Sequence, residues 1–371
     1  MSAASPDQIE GAPHPRDTLQ LIGQTAAETA FLDAYGTTRL HHAWLLTGPR
    51  GVGKATLAWQ IARFLLATPD HQDDGGMFGA APPAATLQID PEHPVARRIA
   101  AGSEGALKVI TRTTNPKTER LRDKIVVDDV RGLAGFFHMS AAEGGRRVVI
   151  VDAADDLNTS AANALLKMLE EPPANATLLL ISHQPSGLLP TIRSRCRTLR
   201  LGTLNPDEMA QALAQAQIKI DAAPEALAEL SGGSVGAALS LSLLGGLDIY
   251  AELVAVLATL PKLDRPRALR LAEAASQRGA ETKLDLLFEL LDLLMSRLAR
   301  TGATGVTPPV EAAPGEAALL ARLSPNPAKG RAWAETAQQI GARVRHGRAV
   351  NLDPAALVLD TMFKIQQTAA G

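Results

Sequence analysis

A glycine-rich stretch between an apolar run and a helical pattern is the clearest candidate for chemistry in this sequence. Gly48, Gly51, Val52, Gly53 and Lys54 belong to the pattern Gly-x-x-x-x-Gly-Lys. Glycines let successive backbone N–H groups converge on an anion, and the following helix adds the partial positive charge of its N-terminus. We therefore predict a phosphate-binding loop rather than an ordinary strand-to-helix turn, with Lys54 reaching the β- and γ-phosphates of a nucleotide.

The residue after Lys54 departs from this pattern. A Ser or Thr hydroxyl at that position binds Mg²⁺, and here the residue is Ala55. The hydroxyl of Thr56 lies about 100° further around the helix, so it can contact a phosphate but cannot simply replace the missing ligand. The loop therefore keeps its phosphate contacts and lacks one Mg²⁺ ligand.

An acidic side chain follows the most apolar strand pattern. Residues 148–151 are apolar at consecutive positions, which is typical of a strand buried on both faces, and Asp152 comes next. At the end of such a strand Asp152 can present a carboxylate to Mg²⁺. Asp155 and Asp156 lie past the strand, where we expect a solvated loop because acidic side chains are mostly exposed.

Composition excludes several classes of protein. Lys and Arg total 37 against 39 Asp and Glu, and a formal net charge of −2 excludes binding of nucleic acid by bulk positive charge. Cys196 is the single cysteine, which excludes an internal disulfide and a multi-thiolate zinc or iron–sulfur site. The sequence lacks the apolar core of a signal peptide and the ~20-residue apolar run of a membrane span, so we expect a cytoplasmic protein.

Hydrophobic patterns divide the chain into an α/β part and a helical part. Strand-like runs alternate with helical patterns up to about residue 200, which predicts a parallel α/β sheet, and the later apolar stretches are helical. The predicted strands are 43–46, 107–110, 125–127, 148–151 and 178–181. The predicted helices of the α/β part are 18–39, 55–67, 130–137 and a helix that is capped by Asn158 or Thr159 and runs through residue 169. The later predicted helices are 209–216, 226–230, 235–244, 249–260 and 284–298. The predicted domains are residues 1–17 without fixed structure, an α/β domain at 18–201 with an inserted loop at 68–107, and helical regions at 202–245 and 246–371, the last with a loop at 301–318.

Four stretches carry more specific motifs. They are GPRGVGK (48–54), RRVVIVDAADDLN (146–158), NALLKMLEEPP (163–173) and IRSRC (192–196). Together they resemble bacterial sliding-clamp loaders, which are AAA+ ATPase-fold subunits of the DNA polymerase III holoenzyme. The resemblance covers roughly residues 18–245, and it implies an α/β P-loop (AAA+) domain with a parallel sheet, a small helical lid domain and an all-α C-terminal collar domain.

The tripeptide Ser194–Arg195–Cys196 is the most specific part of this resemblance. It implies that Arg195 is an arginine finger, which places its guanidinium against the γ-phosphate bound by a neighbouring subunit. The alternative is a solvated arginine in a cluster with Arg193, Arg197 and Arg200 that faces DNA. Cys196 is interpreted as a small buried apolar residue.

Further family positions bear on catalysis. Ser182 takes the place of the polar residue that orients water near the γ-phosphate (sensor 1). Ala153, in contrast, stands where the family has the Glu that polarises the attacking water. Gly236 stands where the lid helix of active members has an Arg that senses the nucleotide (sensor 2). With Ala55, three catalytic side chains are absent together, which predicts little hydrolysis. This profile is similar to the delta-prime class of clamp-loader subunits, which donate a finger and do not hydrolyse ATP.

The resemblance also implies ligands and partners. ATP or ADP is the implied ligand, at a weak or vestigial site, with Mg²⁺ only alongside nucleotide; zinc is not expected, because 68–107 has no cysteines where relatives carry a four-cysteine module. The implied partners, in a hetero-oligomer, are a gamma/tau-type ATPase subunit, the delta subunit, the sliding clamp and primer–template DNA. The apolar side chains expected either to form a collar surface or to close an internal core are Leu284, Leu287, Phe288, Leu291 and Leu294.

Two other functions stay open at this point. A working ATPase, a gamma/tau-like motor subunit or a related DNA-remodelling protein, is favoured by the intact loop that ends at Lys54. A DNA-binding regulator would use the arginine cluster at 193–200.

Overall fold

The computed structural model describes residues 8, 11–37, 40–68, 84–119, 121–138, 145–216, 224–277 and 279–371. Backbone contacts group the chain into two compact units. The first unit contains residues 1–218 and 233–236, and the second contains residues 219–232 and 237–371. The division into an α/β domain, a lid and a collar stays a prediction.

A five-stranded parallel sheet forms the centre of the first unit. Its order is β2–β3–β4–β1–β5. The strands are β1 (Ala43–Thr47), β2 (Leu107–Ile110), β3 (Arg147–Val151), β4 (Ala176–Ser182) and β5 (Arg197–Arg200). Four of the five predicted strands are confirmed. The predicted strand at 125–127 is wrong, since Ile125 makes only an isolated bridge to Leu157.

Helices connect these strands, and in the described chain after β5 all the regular secondary structure is helical. Those of the α/β part are α1 (Thr25–Tyr35), α2 (Lys54–Ala67), α3 (Pro94–Ala100), α4 (Val127–His138), α5 (Thr159–Glu170) and α6 (Pro190–Arg193). The later ones are α7 (Pro206–Gln215), α8 (Pro224–Ser231), α9 (Val235–Leu243), α10 (Gly246–Ala258), α11 (Arg265–Ala275), α12 (Glu281–Thr304), α13 (Glu316–Leu323), α14 (Pro327–Ala349) and α15 (Pro354–Ala370). Within the described ranges no single helix is long and apolar enough to cross a membrane, although α9 and α10 meet that criterion as a pair bent by 79°.

Alternate residues of the central strands pack on opposite faces of the sheet. Trp44 and Leu46 of β1 pack with α1 and α2, while Leu45 packs with α4 and α5 on the other face. Successive side chains of a strand point to opposite faces, so a strand covered on both sides must be apolar at every position. This explains why the unbroken apolar runs of the sequence identified β1, β3 and β4.

Three segments predicted to be irregular contain helix. Pro15–Asp17 forms a 3-10 helix in the region expected to lack structure, and Arg63 donates a hydrogen bond to the Arg16 carbonyl. The described part of the predicted insertion, residues 84–107, contains α3, whereas residues 69–83 lie outside the described residues. The predicted loop at 301–318 is shorter, because α12 continues to Thr304 and α13 begins at Glu316.

The long helix α12 supplies much of the core of the second unit. Four of its predicted apolar residues are buried and Phe288 is half-buried; the buried ones are Leu284, Leu287, Leu291 and Leu294. These residues therefore form a closed internal core rather than an open surface. Gly302 lies against α14, where an added Cβ would come within 2.7 Å of the Gly330 backbone, so the two helix backbones meet without side chains between them.

A buried polar network links α8, α10, α12 and α13. Glu316 is 1% exposed and accepts a hydrogen bond of 2.5 Å from the Tyr250 hydroxyl. The Arg297 Nε lies 2.7 Å from Glu316 Oε1, and Arg297 Nη1 lies 2.9 Å from Glu229 Oε1. The Ala312 N–H also donates to Glu316, which fixes the segment that leads into α13. A buried carboxylate needs this many partners because its desolvation is costly.

Arg297→Leu should therefore destabilise the protein strongly. The substitution leaves Glu316 buried without its cation, and we expect the free energy of unfolding to fall by about 3–5 kcal/mol. Arg343→Leu is the matched control, because Arg343 pairs with Asp360 while 64% exposed and exposed pairs contribute at most about 1 kcal/mol. Urea denaturation of both variants provides the measurement. Equal losses of stability would contradict the role of the network.

Candidate nucleotide-binding site

The glycine-rich loop joins β1 to α2, as predicted from the sequence. Gly48, Gly51 and Gly53 all have positive φ values, of 146°, 78° and 99°. Side chains rarely adopt this backbone region, so these positions require glycine. An added Cβ at Gly48 would also collide with the Leu201 carbonyl, and one at Gly53 would come within 2.6 Å of Leu21. The loop backbone is thus held in a conformation that side chains would disrupt.

Other segments of the first unit pack around this loop. Gln24 is buried and donates hydrogen bonds to the carbonyls of Val52 (3.1 Å) and Gly202 (2.8 Å). On another side, the Ser234 hydroxyl donates to the Arg50 carbonyl at 2.8 Å. Two segments that are distant in sequence, around Gln24 and Ser234, therefore hold the loop.

The predicted sensor 2 position takes part in this packing through its backbone. The Gly236 N–H donates a hydrogen bond of 2.9 Å to the Gly51 carbonyl. The position lies beside the loop but has no side chain, so it offers no guanidinium to a phosphate there.

Lys54 is the buried cation of the site. It is 3% exposed, and its Nζ donates to the carbonyl of Gly48 at 2.7 Å and to that of Pro49. Burial lowers the pKa of Lys54 to about 8, although Asp152 and Asp155 act in the opposite direction. A buried amine that bonds to carbonyls of its own loop can exchange those contacts for phosphate oxygens. The loop and Lys54 together fit a phosphate group.

Asp155 has a different role from the one predicted. Rather than lying in a solvated loop, its carboxylate is half-buried and accepts hydrogen bonds from the Ser182 hydroxyl (2.8 Å) and the His183 N–H (2.6 Å). The Gln184 N–H adds a third bond at 3.3 Å. Asp155 therefore holds the end of β4, including the predicted sensor 1 hydroxyl.

Asp156 is also partnered. It is half-buried and forms an ion pair of 3.4 Å with Arg112, with Lys124 4.0 Å away. The expectation of a solvated loop is thus wrong for both aspartates. Helix α5 begins three residues further on, at Thr159, and the side chain of Asn158 rather than that of Thr159 caps it by accepting from the Ala161 N–H.

The protein groups available to Mg²⁺ are few. Asp152 is half-buried, and its charge opposes the lowering of the Lys54 pKa by burial, so a carboxylate lies near the loop. Ala55, however, offers no hydroxyl at the first turn of α2, and Ala153 is buried without a carboxylate. Among the described residues there is no group of three or more His, Cys, Asp or Glu side chains that could hold a metal ion. Of the groups that could bind Mg²⁺ beside a nucleotide, the site thus keeps the Asp152 carboxylate and lacks a hydroxyl at position 55.

His183 adds a neutral polar group to this edge of the sheet. Burial, together with the positive charges of Lys54 and Arg50, lowers the pKa of His183 to about 4. Its Nδ1 is buried and has no hydrogen-bond partner among the described residues. The lowered pKa leaves the imidazole uncharged at neutral pH, a feature that we did not predict from the sequence.

Arg195 lies just after α6, and its side chain is 35% exposed. One guanidinium nitrogen lies 2.9 Å from Oε1 of Glu170, and another donates to the Thr191 carbonyl at 3.1 Å. Its neighbour Cys196 is half-buried against the sheet, and burial raises the pKa of the thiol to about 12. This fits the prediction of a small apolar residue without nucleophilic chemistry.

The other arginines of the cluster have separate contacts. Arg193 donates to the Pro185 carbonyl at 3.4 Å, and the Arg197 guanidinium lies over the Trp44 ring, 5.2 Å from its centroid. Arg197 and Arg200 belong to β5, an edge strand that we did not predict. Charged side chains are common on edge strands, where they oppose further strand pairing. The position of Arg197 and Arg200 on an edge strand thus explains these two arginines without a contact to DNA.

Comparisons with known proteins agree with the motifs. Residues 23–205 match the family described as DNA polymerase III, delta subunit. The delta' subunit of DNA polymerase III from Pseudomonas aeruginosa is 35% identical over 254 residues, which cover 68% of this chain and 70% of that relative. The chain belongs to the DNA polymerase III delta' subunit family. The family resemblance predicted from the four motifs is thereby confirmed.

More distant matches come from other subunits. The tau subunit of DNA polymerase III from Salmonella typhimurium is 31% identical over 288 residues, and these cover 74% of this chain but 40% of that relative. A solved structure of a DNA polymerase III gamma subunit-related protein from Thermotoga maritima covers 74% of this chain and 90% of that chain, at 22% identity and a TM-score of 0.36. The predicted fold class, a parallel α/β sheet followed by helices, is confirmed by the strands and helices of the described residues.

The depressed pKa of Lys54 predicts a pH-dependent contribution to stability. Between about pH 8 and 10 the folded protein has lost the Lys54 proton while the unfolded chain still binds it. The wild type should therefore gain stability relative to Lys54→Met as the pH rises, by roughly 1 kcal/mol per pH unit. Urea denaturation of both proteins across this range tests the expectation. A constant difference between the two would contradict burial of a charged amine.

Proposed function

We propose that this delta' family member is a clamp-loader subunit that does not hydrolyse ATP and supplies Arg195 to the nucleotide of a neighbouring ATPase subunit. The observation that supports this most is the bonding of Asp155. It is the first carboxylate after the missing Glu at Ala153, and its oxygens accept hydrogen bonds from the end of β4. A carboxylate that is held in this way is poorly placed to polarise an attacking water.

The remaining features of the site support the same conclusion. Phosphoryl transfer is catalysed almost entirely by positioning and by charge stabilisation. This chain lacks the hydroxyl at Ala55, the carboxylate at Ala153 and the guanidinium at Gly236. In contrast, Lys54 and the glycine-rich backbone are in place. Such a site can hold the phosphates of ATP or ADP and has little means to stabilise the transition state.

The position of Arg195 supports a role outside its own site. It follows α6 and is about one-third exposed, whereas the cation of the chain's own loop, Lys54, is buried. A fixed guanidinium near the γ-phosphate of another subunit stabilises the charge that develops during transfer. In this proposal the partners are a gamma/tau-type ATPase subunit, the delta subunit, the sliding clamp and primer–template DNA, in a cytoplasmic hetero-oligomer.

A working ATPase is the second candidate, and the retained Lys54 and loop favour it. The discriminating measurement is steady-state ATP hydrolysis by the purified chain, with Lys54→Ala as the control for contaminating activity. A turnover in the range of ordinary ATPases that disappears with Lys54→Ala would overturn the first proposal. Turnover equal to that of the control supports it.

Mg²⁺ dependence tests the role of Ala55. We expect ADP to bind the wild type with an affinity that hardly changes on addition of excess Mg²⁺. Ala55→Thr supplies the missing hydroxyl, so ADP affinity should then rise with Mg²⁺ by roughly tenfold, the scale of one charge-assisted contact. Ala55→Val, which has the shape of threonine without its hydroxyl, is the control, and calorimetric titration is the measurement. A strong Mg²⁺ dependence in the wild type would mean that another group replaces the hydroxyl.

Arg195→Ala tests the finger directly in the reconstituted complex. We expect the single-turnover rate of ATP hydrolysis at the adjoining subunit to fall by about 10³-fold, because the variant removes a charge that is made available in trans. The ADP affinity of this chain should stay unchanged. Arg193→Ala, two residues away and exposed, is the matched control. An unaltered rate with Arg195→Ala would refute the role.

A further inference from the structure

The end of α5 lies beside Arg195. Glu170 is the last residue of α5, its side chain is 49% exposed, and its Oε1 lies 2.9 Å from an Nη of Arg195. The other Nη donates to the Thr191 carbonyl of α6 at 3.1 Å. The guanidinium is therefore held at two of its nitrogens, by two different helices.

From this geometry we propose that Glu170 is a positioning residue for the finger: it orients the Arg195 guanidinium before the neighbouring nucleotide arrives. The inference rests on the proposed function and names a second residue on which that function depends. Glu170 itself does not contact the nucleotide in this proposal; it acts only through Arg195.

Glu170 and Thr191, the two residues that hold the guanidinium, belong to helices that are packed in the core. Leu165 and Leu169 of α5 and Ile192 of α6 are buried in the same core under the sheet, at 0–2% exposure. The backbone at the end of α5 and the carbonyl of Thr191 consequently keep a constant separation. A long side chain tied to two such points loses its freedom before binding, so less entropy remains to be lost when it meets a phosphate.

The donor count leaves room for a ligand. A guanidinium has five N–H groups, and the contacts to Glu170 and Thr191 engage two of them. The remaining donors and about one-third of the side-chain surface can face another molecule. An ion pair as exposed as this one shifts an equilibrium by no more than about fivefold, so it orients the finger without sequestering it.

Glu170→Ala in the reconstituted complex is the test. We expect the single-turnover rate of hydrolysis at the adjoining subunit to fall about threefold to fivefold, with the concentration of ATP at half-saturation unchanged. Glu170→Gln, which keeps an acceptor oxygen and loses the charge, should retain part of the rate. Glu171→Ala is the matched control, because Glu171 is adjacent, acidic and exposed, with no ion pair in the described part of the chain. It should leave the rate unchanged.

The double variant separates positioning from a general structural effect. If Glu170 acts only through Arg195, adding Glu170→Ala to Arg195→Ala changes the rate no further, and the urea midpoint of Glu170→Ala falls no lower than that of Arg195→Ala, which breaks the same ion pair. A further loss of rate in the double variant, or a urea midpoint of Glu170→Ala well below that of Arg195→Ala, would overturn the proposal. A faster rate with Glu170→Ala would also overturn it, because the ion pair would then keep Arg195 away from the neighbouring nucleotide.

The two proposals fail in distinguishable ways. If Arg195→Ala slows hydrolysis and Glu170→Ala does not, the finger stands and the positioning role is refuted. If Arg195→Ala leaves the rate unchanged, the proposed function itself is refuted and the role of Glu170 falls with it.

Discussion

The parallel pairing of β3, β4 and β1 is the constraint on which the candidate site depends. In this register Thr47 lies opposite Ser182, and Val151 lies opposite Leu180. The carboxyl ends of the three strands therefore meet at one edge of the sheet, which is where ligands bind in open α/β sheets. The phosphate loop follows β1, Asp152 follows β3, and Ser182 ends β4. The hydrogen bonds from the β4 end to Asp155 then tie two of these strand ends together.

This constraint decides which parts could be predicted from the sequence. Strands buried on both faces are continuous apolar runs, so β1, β3 and β4 were identified correctly. Helix α5 was located by its cap at Asn158. The partners of Asp155 could not be inferred in the same way, because its hydrogen bonds require β3 and β4 to be neighbours, and the local hydrophobic pattern does not determine strand order. Two acidic residues shortly after an apolar strand do not by themselves predict such bonds.

The other misses have related physical causes. β5 is an edge strand that pairs only with β1, and three of its four side chains are exposed. It contains two arginines and a single buried leucine, so its sequence has no apolar run. The predicted loop at 301–318 contains Gly and Pro, yet Glu316 begins α13 within it, held by Tyr250 and Arg297 from distant helices. Long-range polar contacts of this kind override local propensity. The same holds for Gln24, whose bond to the phosphate loop spans 28 residues and has no sequence signature.

Lys54 connects stability with the choice between the two candidate functions. A buried ammonium whose pKa is displaced by desolvation destabilises the folded chain, and such groups concentrate at binding sites, where a ligand offsets the penalty. Lys54 at the loop therefore favours anion binding, whether or not hydrolysis follows. The proposed function assigns hydrolysis to further groups at positions 55, 153 and 236, and those positions carry Ala, Ala and Gly. In that proposal binding and cleavage depend on separate residues, so the loss of the second leaves the first intact. The proposed subunit would then hold a nucleotide as part of its structure while Arg195, on a different element, acts on another one.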